Sequence, residues 1–155
     1  MSYQKLIESG LLRKEKIGFD QVIKVLERAH RDLKSAKVLI KDGHEDGSFR
    51  FSYESMLLAG RALCFSFGLK PRAIGSHKII IDFVAEVIGK EYEILVNKFD
   101  KMRKKRNYLI YGASDMDISK IEADNAIKTT RDFLERIEKI IHDNNPQKGL
   151  NLSRQ

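Results

Sequence analysis

The chain has 155 residues, a formal net charge of +7, 42% hydrophobic residues and a single cysteine. That is the size of one domain able to bury a core without disulfides or metals. The lone Cys64, in Arg61-Ala-Leu-Cys-Phe-Ser-Phe67, excludes a disulfide framework and a thiolate metal site, and reads as a small buried hydrophobe of a reducing compartment.

Residues 1–18 are read as an N-terminal extension holding at most a short helix. Charges interrupt its apolar stretch, and no run in the chain approaches the roughly 18 apolar residues of a membrane span. A soluble, cytoplasmic protein with no membrane contact is therefore expected. Val22, Leu26, Ala29, Leu33, Ala36 and Ile40 then step by four and three along one helix face, with Asp20 as its expected N-cap and Gly43 as its stop. A second helix is predicted from about Asp46 to Phe67, with Phe49, Tyr53, Met56, Ala59, Leu63 and Phe67 inward and Gly68 and Pro71 closing it.

Ser76 is the expected cap of a shorter helix to Ile88, which buries Ile80, Phe83, Val84 and Val87 and ends at Gly89. The next begins near Glu91 and buries Tyr92, Leu95, Phe99 and Met102. Continuing that line by four places Arg106 where an apolar residue is expected. Ser119-Lys-Ile-Glu122 is a capping box opening a last helix through Ile127, Thr130, Phe133 or Leu134, Ile137 and Ile141. The polar residues 143–155 read as a flexible tail. No convincing strand is visible. Short connections between long helices predict an all-α, antiparallel up-and-down four-helix bundle with one additional short helix, spanning residues 19–142.

The charge is local. Lys98 to Arg106 holds six cations against Asp100 alone, which accounts for five of the seven net positive charges. Such a cluster attracts phosphate, with Arg103, Lys104, Lys105 and Arg106 as phosphate-binding candidates, and Tyr108 and Tyr111 beside them are the aromatic rings available to stack bases. The plain alternative is a solvated helix face. Arg61, amid Gly60, Ala62 and Leu63, reads either as a snorkelling arginine or as a second phosphate ligand in the same cleft.

The segment Arg106-Asn107-Tyr-Leu-Ile-Tyr111-Gly112 resembles the arginine-asparagine motif of the HEPN family (higher eukaryotes and prokaryotes nucleotide-binding domain). Ala29-His-Arg-Asp-Leu-Lys-Ser-Ala, Tyr53-Glu-Ser-Met-Leu-Leu-Ala-Gly-Arg61 and Pro71-Arg-Ala-Ile-Gly-Ser-His77 resemble its first, second and third helices, so the likeness covers roughly residues 20–141. What it implies is a homodimer whose two motifs share a basic cleft, and for many members metal-independent RNA cleavage by a toxin paired with a nucleotidyltransferase-type antitoxin. Other members bind nucleotides or proteins without cutting. The resemblance assigns the catalytic positions to Arg106, Asn107 and Tyr111, with RNA or a nucleotide as ligand.

Tyr111 stands where the active motif has histidine. Metal-free cleavage needs a base for the 2′-hydroxyl, an acid for the leaving oxygen and fixed positive charge at the phosphate, and arginine supplies only the last. A phenol titrating near 10 is disadvantaged as a base by roughly 5 kcal/mol against an imidazole titrating near 6.5. Tyr111 also lies five residues beyond Arg106, about 140° around an unbroken helix, so the two converge only if the helix ends between them. Asn107, four before Tyr111, shares its face and is a candidate to orient it. His77, directly after an expected N-cap, is the histidine best placed to supply the missing base, while His30, His44 and His142 read as surface residues. No histidine or carboxylate pair has zinc-ligand spacing and no glycine-rich phosphate loop is present, so neither metal nor cofactor is expected.

Overall fold

The computed structural model describes residues 3–112 and 117–145. Along them run α1 (Gln4–Glu8), β1 (Leu12–Lys14), α2 (Phe19–Lys41), α3 (Glu45–Ser66), β2 (Leu69–Pro71), α4 (Ser76–Ile88), a 3-10 turn (Lys90–Tyr92), α5 (Glu93–Tyr111) and α6 (Lys120–Asn144). The protein is thus mostly helical, as its periodicity demands.

At the centre lies α3, which packs against α2, α4, α5 and α6. It is buried on nearly every side: Phe49, Tyr53, Met56, Ala59 and Leu63 point inward as expected, but Leu57, Leu58 and Ala62 are equally enclosed. Small hydroxyls let it do so, because Ser48 donates to the Ala36 carbonyl at 2.8 Å, Ser55 donates to that of Ala29 at 2.7 Å, and Thr130 of α6 donates to that of Ser52 at 3.1 Å. Each donor is satisfied without water, so polar residues on a helix that looks half-soluble in sequence become seams between helices.

The apolar stripe of α2 is buried through Ala36, with Ile40 only partly covered, and Gly43 at φ 78° turns the chain out of it. Its N-cap is Gly18, not Asp20. Asp20 sits inside the first turn, where its carboxylate complements the helix dipole. Gly75, at φ 73°, likewise takes the cap position of α4 and makes Ser76 the first helical residue, since only a residue free of a Cβ adopts that backbone cheaply. In α5, Val96 replaces Leu95 on the buried line. The capping box of α6 forms, Glu122 N–H donating to Ser119 Oγ at 3.1 Å and Ser119 N–H to Glu122 Oε1 at 3.3 Å, and Phe133 and Leu134 are both buried. The helix reaches Asn144, past the expected start of the tail; the remainder of that tail, residues 146–155, lies outside the described residues.

One expectation is corrected. β1 and β2 form an antiparallel pair in register Leu12 with Pro71 and Lys14 with Leu69, where no strand was read from the sequence. Three residues are too few to display an alternating period. Leu12 and Leu69 are both buried in the core, and Pro71, with no N–H to give, stands at the end of a strand.

Candidate functional site: a basic groove between α4 and α5

Gly60 decides where α4 sits. A Cβ there would lie 2.5 Å from Ile80 Cγ2 and 3.3 Å from Val84 Cγ2, so its absence lets α4 close onto α3. That approach brings His77, on the first turn of α4, against Tyr53 of α3, with 3.0 Å between its Nδ1 and the phenol oxygen. Tyr53 is fully buried, and burial pushes its phenol far above the ordinary value of 10 although Arg106 opposes this, so it keeps its proton. His77 is held below its ordinary 6.5, first by burial and then by the nearby charge of Arg106, with Arg61 and Arg103 adding to it against Glu54. At neutral pH the imidazole is therefore uncharged.

Arg106 occupies the inward line of α5, as its spacing required. Its side chain is 19% exposed; Nη2 lies 3.6 Å from Glu54 Oε1, Nη1 donates to Asn107 Oδ1 at 3.2 Å, and the guanidinium lies 5.9 Å from the centre of the Tyr53 ring. A half-buried cation is accommodated here by an acid, an amide oxygen and an aromatic face. Glu54 was not singled out in the sequence, although its position directly after the inward Tyr53 was the available signal.

Outside Arg106 opens a groove of about 770 Å³ whose walls include His77, Lys78, Arg103, Lys104, Asn107 and Tyr108, with Tyr111 at its edge. Arg103 donates to Asp100 at 3.0 Å, and Lys104 and Lys78 reach the same carboxylate at 3.4 and 3.8 Å. Partial burial works against ionisation of Asp100, but the Arg103 hydrogen bond and the surrounding cations hold its carboxyl below the ordinary 3.8. Lys78 also meets Asp82, at 3.2 Å, so two acids face the three cations Lys78, Arg103 and Lys104 and the groove stays positive.

The helix does not end between Arg106 and Tyr111. α5 continues through Tyr111, which is 79% exposed, and Asn107 engages the Arg106 guanidinium. Lys105 is turned away from this groove and binds Glu122 of α6 at 2.6 Å. Arg61 is half-buried on α3 and does not line the groove, acting on His77 only through its charge. His30 pairs with Glu138 at 2.6 Å, tying α2 to α6. Among the described residues no group of three or more His, Cys, Asp or Glu side chains is placed to hold a metal ion, and no helix is long and apolar enough to cross a membrane.

The family model for the HEPN domain matches residues 22–140. The chain belongs to the HEPN family. A search of curated proteins gave no match. The matched span begins in the first turn of α2 and ends within the last turn and a half of α6, so every wall of the groove lies inside the HEPN domain.

Proposed function

We propose that this HEPN protein binds RNA by its phosphates in the groove between α4 and α5 and cleaves it without a metal, the groove being completed by a second copy across a two-fold axis. In this reading α2, α3, α5 and α6 form the up-and-down bundle of a cytoplasmic toxin, residues 19–142 are the functional unit, and a nucleotidyltransferase-type antitoxin is its partner. The observation that carries it is Arg106: a guanidinium fixed at the floor of a cationic groove, with an uncharged imidazole on the opposite wall. The planar fork suits two phosphate oxygens.

His77 fills the role that Tyr111 is poorly suited to. That role requires the tautomer that carries its proton on Nδ1 and donates it to the Tyr53 oxygen, 3.0 Å away, which leaves Nε2 as the free basic nitrogen. The 2′-oxygen gives its proton to that nitrogen and bonds to phosphorus, the phosphorus–5′-oxygen bond breaks, and the leaving oxygen takes a proton from solvent or Tyr111. The products are a 2′,3′-cyclic phosphate and a 5′-hydroxyl. Arg106 balances the charge accumulating on the phosphate throughout.

The deciding experiment incubates the purified protein with RNA in excess chelator and compares Arg106→Ala and His77→Ala. Cleavage ending in cyclic phosphate, lost in both variants, supports the reading; intact RNA that still binds in an Arg106-dependent way reduces it to non-catalytic RNA or nucleotide binding, the second reading that the exposed and unanchored Tyr111 favours.

A further inference from the structure

The basic run divides between two flanks of α5, and the groove above uses only one of them. Arg103, Lys104 and Arg106 face α4. Lys98, Lys101 and Lys105 step by three and four, hence share a stripe on the other flank, where with Lys128 of α6 they rim a second groove of about 520 Å³. Its acids are Glu122, which the hydrogen bond from Lys105 holds below its ordinary pKa, and Asp132. Lys98, Lys101 and Lys128 are exposed and make no ion pair among the described residues, whereas Arg103, Lys104 and Lys78 on the first flank share Asp100. The unneutralised cations are thus concentrated on the flank to which the proposed chemistry assigns nothing.

Tyr108 joins the two. It stands four residues after Lys104 and three after Lys105, on the crest of α5, with 54% of its surface exposed. A helix with its side chains is about 10–12 Å across, wider than one phosphate reaches. A ligand touching both flanks is therefore a polymer, and the crest between them offers a ring face to an unpaired base.

We propose that the substrate is a single RNA strand lying across α5, with phosphates in both grooves and a base stacked on Tyr108. This rests on the reading that the first groove holds a phosphate, and it narrows the ligand from RNA or nucleotide to an extended single strand. Lysines along a groove and an exposed aromatic between them are the pattern of single-strand recognition, in which charge supplies affinity and stacking tolerates any base.

The test measures binding of a fluorescent single-stranded RNA of about twelve nucleotides by anisotropy at several salt concentrations, for the native protein, Arg106→Ala, the triple variant Lys98→Gln/Lys101→Gln/Lys128→Gln, and Tyr108→Leu. The substituted Lys98, Lys101, Lys128 and Tyr108 are all exposed, and circular dichroism verifies that the variants stay folded. Removing three phosphate contacts reduces the slope of log K against log salt by about 2, and Tyr108→Leu weakens binding about 5- to 150-fold. An unchanged slope in the triple variant, or a duplex bound as tightly as the single strand with no effect of Tyr108→Leu, overturns the crossing strand while leaving the first groove standing. Undiminished binding by Arg106→Ala, or no binding by the native protein, overturns the first groove itself and this inference with it.

Discussion

The Tyr53 phenol oxygen and His77 Nδ1, 24 residues apart in the chain, are 3.0 Å apart in the fold. A buried tyrosine that keeps its proton fixes the orientation of a half-buried imidazole, and the imidazole faces the same groove as Arg106. Tyr53→Phe removes that restraint without emptying the core. On the proposed function, the variant is expected to bind RNA with native affinity but to lose cleavage more than tenfold, a split between binding and turnover measurable in single-turnover assays.

Arg106→Lys keeps the charge and loses the fork. Charge-assisted hydrogen bonds contribute roughly 1.5–3 kcal/mol, so on the proposed function Arg106→Ala is expected to weaken RNA binding by about 10- to 150-fold, with Arg106→Lys recovering only part of it. Anisotropy at constant ionic strength measures both.

His77 also makes stability depend on pH. Its folded value lies below the ordinary 6.5, so as pH falls through 6.5 the unfolded chain takes up the proton before the folded one. Native stability is full above 6.5 and declines below it until the folded form is itself protonated. Urea midpoints between pH 5 and 8 should therefore fall on the acid side in the native protein, and fall less in His77→Gln.

Asp32 carries the opposite sign. Burial, with Glu54 second and Arg28 and Arg31 opposing, raises its carboxyl above the ordinary 3.8, so ionisation destabilises the fold as pH rises past that value. Asp32→Asn is expected to melt at a higher temperature than the native protein at pH 7, with the difference vanishing near pH 3. Thermal scans at the two pH values check it.

Gly60→Ala tests the closeness of α3 and α4. Overpacking costs about 1–3 kcal/mol and the better helix propensity of alanine returns up to about 1 kcal/mol, so a net loss is expected in urea titration. Because Ile80 must shift and α4 carries His77, the proposed cleavage is expected to fall as well. Cys64 is a counterpart deep in the same helix: burial pushes its thiol up to about 12, so alkylation should require unfolding.

The chain's own periodicity determined the helices, because a stripe such as Val22-Leu26-Ala29-Leu33-Ala36 has one arrangement that buries it and the Ser119 to Glu122 cap is closed by neighbours three residues apart. It also marked Arg106 as a charge on an inward line, and singled out His77. Local pattern does not report what is distant. The β1–β2 pair, the acid at Glu54, the close approach over Gly60 and the turning of Lys105 toward Glu122 each depend on residues brought together from separate elements of the chain. The division of one basic run into two flanks was decided at that level too: a helix sets which side chains share a stripe, but only the neighbours packed on either side, α4 and α6, decide what each stripe faces.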